Sequence, residues 1–409
     1  MSNSFEICIG PIHPALKEPI QLDFKVEGER VTDVSFRLGQ VHRAIEWAGM
    51  RRNPLQILYL AERICGICNI CHPMAFSLAM ESIAGIDVPE RAHYIRTINA
   101  ELERIHSHVL WAGVAAHELG FDSVMHYTWR VREKVLDIIE MLNGNRITKG
   151  LFMIGGVRRD VEKKHYAKIR EALQYYRDCY SKLESILLKD KSVKARTREI
   201  GILTKKDALE LCAVGPTVRA SGVKKDVRMD LPYAAYPFLD MDCITPDMAT
   251  GEVRCDTYDR IAVRVLEVGQ SIELIEQCLK QLPSGPVLAE PSLQKLLVQL
   301  KSVEGEAVAF QEAPRGELIH YLKMTAQDSP HTWKVRAPTY SNLLPLVPML
   351  TGCEIADIPI VAASIDPCMS CANRAVLADK GNTILSMDAL RKKSIEKTRR
   401  IVKGAGKNE

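Results

Sequence analysis

Four cysteines form two pairs of the same design, Cys65-Gly66-Ile67-Cys68 and Cys368-Met369-Ser370-Cys371, near opposite ends of a 409-residue chain. Two intervening residues let both sulfurs of a pair turn toward one ion. Two such pairs would make a four-thiolate site, soft enough for zinc, iron or nickel. Structural zinc sites usually staple small modules whose ligand pairs lie tens of residues apart. Here Cys65 and Cys368 are 303 positions apart, and a chain of this length builds a core without a staple. On spacing alone, a redox metal, a structural zinc and a set of unrelated thiols all remain open. His72, four residues beyond Cys68, could donate a hydrogen bond to a ligand sulfur, as metal sites require of their surroundings.

These pairs need a rigid frame. Ile20, Leu22, Phe24 and Val26 alternate with polar residues, and the alternation resumes at Val34, Phe36 and Leu38 after Glu27-Gly28-Glu29. That pattern predicts a hairpin near the N-terminus. The first cysteine pair opens an apolar helix from about Met74 to Ile83. Four longer runs follow with apolar residues three and four apart: Ile95 to Val109, Val131 to Leu142, Tyr166 to Leu187, and Ile261 to Leu279. Asn143-Gly144 and Pro283 read as helix stops. Narrow apolar stripes on long helices imply a bundle. Residues 215–251 read as irregular, 283–290 as a linker, and 292–325 as mixed structure. The predicted fold class is mainly α: a long-helix bundle with a small N-terminal β-sheet and α+β additions.

The composition is globular, 46% hydrophobic and 26% charged. No apolar run is long enough to span a membrane, and no signal peptide is visible. The cysteines therefore read as reduced thiols and metal ligands. Residues 375–409 hold nine Lys/Arg against four Asp/Glu, so the net charge of +4 belongs to the tail and the remainder carries −1. A nucleic-acid surface on the body is not expected.

Arg63-Ile64-Cys65-Gly66-Ile67-Cys68 with His72, together with Asp366-Pro367-Cys368-Met369-Ser370-Cys371, resembles the catalytic large subunit of NiFe hydrogenases. Gly10 to Pro19, Gly155 to Asp160 and Gly215 to Arg228 resemble a narrower group, the energy-converting, membrane-associated hydrogenases related to respiratory complex I. The complex I relatives are not expected to keep both cysteine pairs, and all four cysteines stand here.

The resemblance implies a NiFe centre with carbon monoxide and cyanide on the iron. Cys65 and Cys368 would be terminal nickel ligands, and Cys68 and Cys371 would bridge to iron. It implies a catalytic guanidinium at Arg315 within Ala313-Pro314-Arg315-Gly316, with Pro314 beside it as a cofactor-binding residue, and a pocket for a cyanide ligand at Pro338-Thr339, where Thr339 would donate a hydrogen bond. Glu18 would be the first proton acceptor, and His72 would support a bridging sulfur. Glu46 matches a carboxylate that binds a further metal in many hydrogenases. Arg374 replaces the usual histidine there, so magnesium is only a possible cofactor.

The implied partners are an iron–sulfur small subunit, antiporter-like membrane subunits and, indirectly, ferredoxin, at the cytoplasmic face of the membrane. The remaining eight cysteines read as buried small apolar residues. Residues 1–374 read as one domain. Residues 375–409 read as a basic extension, removed on maturation after Arg374. A non-catalytic complex I-type coupling subunit, a related sulfur-reducing enzyme and a zinc-stapled scaffold stand as alternatives.

Overall fold

A computed structural model describes residues 4–14, 16, 18–372, 378–379, 383–384 and 392–400. The predicted hairpin is present as β2 (Gln21–Glu27) and β3 (Arg30–Arg37), and β1 (Ser4–Ile9) adds a third antiparallel strand beside β2. Alternation buries Leu22, Phe24 and Val26 on one face. That face packs in a core with Leu343, Leu346, Ile358, Val361, Ile365 and Met369. The N-terminal sheet thus backs the segment that delivers the second cysteine pair.

Short helices α1 (Ile45–Gly49) and α2 (Pro54–Glu62) precede α3 (Cys71–Ala84). The bundle follows: α4 (Glu90–Glu118), α5 (Asp122–Asn143), α6 (Lys163–Glu184) and α7 (Thr257–Gln281). Helix α4 packs against α5 and α7, and α6 packs against the same two, closing four helices around one core. Gly144 takes a left-handed conformation at the end of α5, as its predicted stop role requires. The third run ends differently: α6 stops at Glu184, and Leu187 falls in a π-helical turn, Ser185–Lys189.

The narrow stripes expected on the first and last of these runs are not what the structure has. Both α4 and α7 are buried on nearly every face, including Arg96, Glu101, Glu103, Arg104, Arg260, Arg264 and Glu267. Periodicity in apolar residues cannot see this, because these charges are buried against partners from several elements: Arg104 on Glu267, Arg96 on Glu81 and Glu103 on Lys149.

A second sheet runs β4 (Glu304–Ala313), β5 (Gly316–Thr325) and β6 (Thr332–Arg336), all antiparallel. Ala313 pairs with Gly316, so Pro314-Arg315 form a two-residue turn. A side-chain carbon on Gly215 would fall 2.2 Å from the Gly316 Cα, and one on Gly316 would fall 2.7 Å from the Gly215 Cα. Both must be glycine for the irregular 215–251 stretch to brace this turn. Helix α3 packs on β4 and β5, which brings the turn to the first cysteine pair. Helices α8 (Pro338–Asn342) and α9 (Met369–Ala372) complete the surroundings. The 283–290 stretch is tied down rather than free: Val157 N–H donates to Val287 O, and Ala289 N–H to Gly155 O, both at 2.9 Å. The boundary expected after Arg374 lies outside the described residues.

Candidate metal centre

The first pair occupies the turn between α2 and α3. Its geometry is held from below by Glu103 of α4. That carboxylate accepts from Ile70 N–H at 2.7 Å, Cys71 N–H at 3.1 Å and the Cys71 thiol at 2.7 Å. Lys149 neutralises it at 2.9 Å. A buried carboxylate at a helix start satisfies amides that have no intrahelical partner. The second pair opens α9. Cys368 N–H donates to Thr339 Oγ1 at 3.1 Å, and Met369 and Ser370 N–H both donate to Glu18 Oε2. Arg43 joins the two loops, donating to Ile64 O at 2.6 Å and Ser370 O at 3.3 Å.

The pairs meet as predicted. Cys65 and Cys368 sulfurs lie 3.3 Å apart, and Cys368 and Cys371 sulfurs 3.2 Å apart. Cys65, Cys368 and Cys371 all fall within 4.8 Å of one another and are buried. Cys68 stands at the edge of this trio, also buried, where its sulfur takes a hydrogen bond from Arg315 Nη1 at 3.4 Å. Hydrogen bonds from Cys368, Cys371 and Cys68 hold the Cys65 thiol well below its ordinary pKa. Hydrogen-bonding contact with Cys368, then with Cys65 and Cys68, pushes the Cys371 thiol well above. Four buried sulfurs cannot all ionise beside one another without a cation. With one they can, so the donor set fits a thiophilic metal centre.

Arg315 is gripped from three sides. Nε donates to Asp366 O at 2.8 Å, Nη2 to Asp366 Oδ1 at 2.9 Å, and Nη1 to Ser107 Oγ at 3.0 Å. Glu18 is half-buried; burial and then the Cys65 charge lift its pKa above the usual carboxylate range, against the pull of Arg315. His72 Nε2 faces the Cys371 sulfur at 3.4 Å, and its Nδ1 faces His320 Nε2 at 3.2 Å. Burial lowers its pKa to about 4, so the imidazole is neutral at physiological pH. The two sulfurs read as bridging, Cys68 and Cys371, are the ones that meet a side-chain nitrogen.

Other predicted residues are placed less centrally. Pro314 shapes the turn that presents Arg315. Glu46 bonds Val335 N–H at 2.9 Å and Lys334 at 3.2 Å. It lines a cavity of about 220 Å³ that reaches Cys371 on one side, also lined by His42, Arg43 and Trp47. It is not part of the thiol cluster. Of the eight remaining cysteines, Cys71, Cys179 and Cys278 are buried as expected, but Cys8 and Cys212 are exposed. Cys71 is a hydrogen-bond donor to Glu103 rather than an apolar filler.

Sequence reasoning missed Asp366, His320, Trp333 and a buried ionic network. In that network Arg219 bonds Glu267 at 2.5 Å and Glu312 at 2.8 Å, and Arg228 bonds Asp226 at 2.7 Å and Glu101 at 3.2 Å. Asp366 could have been found: it directly precedes Pro367 in the second cysteine motif. Nothing in the sequence marks His320 or Trp333.

Comparison with known proteins agrees with this arrangement. A family profile described as nickel-dependent hydrogenase matches residues 43–114. A profile described as the 49 kDa subunit of respiratory-chain NADH dehydrogenase matches residues 118–374. The chain is 45% identical over 97% of its length to a membrane-bound hydrogenase subunit alpha of Pyrococcus furiosus, covering 94% of that protein. The chain belongs to this hydrogenase large-subunit family. A carbon monoxide-induced hydrogenase of Rhodospirillum rubrum is 40% identical over 91% of the chain and is covered completely. Among solved structures, one chain of the membrane-bound sulfane sulfur reductase, an archaeal respiratory membrane complex, superposes with a TM-score of 0.84. That match has 30% identity and covers 91% of this chain and 98% of that one. The family thus joins energy-converting hydrogenases to complex I, as the sequence motifs imply. No helix among the described residues is long and apolar enough to cross a membrane.

Proposed function

We propose that this chain is the catalytic large subunit of a membrane-associated NiFe hydrogenase that interconverts H2 with protons and electrons. The observation that carries the reading is the convergence of both cysteine pairs, with Arg315 on Cys68 and His72 on Cys371. Cys65, Cys68, Cys368 and Cys371 would hold nickel and an iron carrying carbon monoxide and cyanide. When bound, that centre would supply the redox chemistry that interconverts H2 with protons and electrons.

The chain's own residues do the rest. Arg315 sets a fixed positive charge beside the thiolates and is kept from swinging away by Asp366 and Ser107. Glu18 lies against the Cys368–Cys371 turn, its pKa raised by burial, where a carboxyl would accept and pass on a proton. Thr339 accepts from the Cys368 amide and so orients the second cysteine pair. Pro314 stiffens the turn behind Arg315. Glu46, already engaged by Lys334 and Val335, offers a carboxylate for magnesium only if those contacts give way.

Electrons would reach the site from an iron–sulfur small subunit, with ferredoxin as the more distant donor or acceptor. Antiporter-like membrane subunits would couple the reaction to ion movement at the cytoplasmic face. The similarity to subunits of membrane-bound complexes supports a peripheral position. The match to a sulfane sulfur reductase favours one second reading, reduction of sulfane sulfur at the same thiolate site.

The test is isotope exchange between H2 and D2O by the purified complex. Wild-type protein should catalyse it. Cys371→Ser should abolish it together with nickel retention, because a serine alkoxide does not replace a bridging thiolate. Full exchange in the variant, or reduction of polysulfide without any exchange in the wild type, would overturn the hydrogenase reading.

A further inference from the structure

We propose that Trp333 and His320 lock the tautomer of His72, so that its Nε2–H is held on the Cys371 sulfur. This rests on Cys371 being a metal ligand. The logic begins with the indole, which can only donate. Trp333 Nε1–H lies 3.2 Å from His320 Nδ1. That nitrogen must therefore offer a lone pair, and the His320 proton sits on Nε2. His320 Nε2 faces His72 Nδ1 at 3.2 Å, so His72 Nδ1 accepts and the His72 proton sits on Nε2. His72 Nε2 faces the Cys371 sulfur at 3.4 Å. One donor-only group thus assigns both rings, and neither ring has room for a second proton.

The chain is sealed and shaped for this. His72, His320 and Trp333 are all buried, so no solvent competes for the ring nitrogens. The indole is seated against Gly49 of α1, where a side-chain carbon would fall 2.2 Å from Cε3. Phe76 meets it edge-on, ring centroids 5.7 Å apart. The indole nitrogen cannot accept a proton, so the chain ends there and does not conduct protons outward. His320 and Trp333 are positioning residues: their effect is to keep an N–H, never a lone pair, pointed at the thiolate. That hydrogen bond draws electron density from the sulfur and so from any metal it ligates. Were His320 released, the reversed tautomer would set the His72 lone pair against the sulfur.

Three variants separate this from simple packing. Trp333→Phe removes the donor and keeps an aromatic ring. His320→Leu breaks the chain. His320→Gln preserves it, because the amide oxygen accepts from the indole while the amide nitrogen donates to His72. Nitrogen-15 spectra of histidine-labelled holoenzyme report the tautomer, and infrared bands of iron-bound diatomic ligands report electron density at the centre. His72 should be in the Nε2–H form in wild type and His320→Gln, and should lose that uniformity in the other two. In those two the infrared bands should move to lower wavenumber with nickel and iron retained, and in His320→Gln they should stay in place. A His72 Nδ1–H tautomer in the wild type would overturn the proposal. So would unchanged tautomer and bands in both Trp333→Phe and His320→Leu, or equal shifts in all three variants. Absence of diatomic bands would fault the metal reading alone, since the nitrogen-15 spectra still judge the relay.

Discussion

Arg315 and Asp366 are joined twice, guanidinium to carboxylate at 2.9 Å and guanidinium to carbonyl oxygen at 2.8 Å. One residue comes from the turn of the second sheet and the other from the motif of the second cysteine pair. The pair ties the two halves of the site together while a third guanidinium nitrogen reaches Cys68. Only a planar fork makes these contacts at once. Arg315→Lys should therefore keep nickel and iron but lower turnover by roughly 100-fold, the scale of losing one preorganised electrostatic group. Metal content and H2 uptake measured on the same preparation check this. Loss of metal in the lysine variant would make Arg315 a structural residue instead.

Glu18 offers a cleaner proton test. Glu18→Gln retains an oxygen to accept from Met369 and Ser370 N–H, so the cysteine turn should keep its shape. It removes only the titratable group. Exchange of H2 with solvent protons should slow by about 100-fold or more, with metal content unchanged. Exchange at the wild-type rate would move the proton path elsewhere.

The buried network gives a pH dependence. Burial alone would raise the pKa of Asp226, but Arg228 and Arg219 outweigh it and hold it at about 2, below the ordinary value of 3.8. A depressed carboxylate contributes stability that is complete above its unfolded value and is lost as pH falls through the folded one. Acid unfolding should therefore steepen between about pH 4 and pH 2. Asp226→Asn should destabilise the protein at neutral pH by about 3–5 kcal/mol, because Arg228 keeps a buried charge with one partner fewer. It should also lack that part of the acid dependence. Denaturant midpoints across pH test both statements; a variant as stable as wild type at pH 7 would contradict them.

What was legible from residues alone, and what was not, follows from how each signal is encoded. Local alternation found β2 and β3, and 3.6-residue spacing found all four bundle helices. The cysteine pairs were legible because a metal site needs fixed spacing within each loop. His320 and Trp333 were not, because they reach His72 from strands about 250 residues away, and no short-range pattern encodes such a contact. The charged interior of α4 and α7 was missed for a related reason. A buried Arg104 or Glu267 looks like a solvated residue until its partner, supplied by another helix, is known.

The basic tail yields a further prediction. Residues 392–400 form a helix exposed along its length, and twenty residues separate it from Cys371. We expect maturation to cut after Arg374; the uncut chain already holds the Cys368–Cys371 turn against Cys65, so the cut is not required to bring the sulfurs together. Intact mass of the active, nickel-containing subunit should correspond to residues up to 374. A mass corresponding to all 409 residues in fully active protein would refute the cut.

The most direct test of the central claim is infrared spectroscopy of the purified wild-type complex. If the four buried thiols hold a nickel–iron centre, the spectrum should contain bands of carbon monoxide and cyanide bound to iron, and these should shift when H2 is admitted. A spectrum without such bands, from protein whose four cysteines hold zinc, would contradict it.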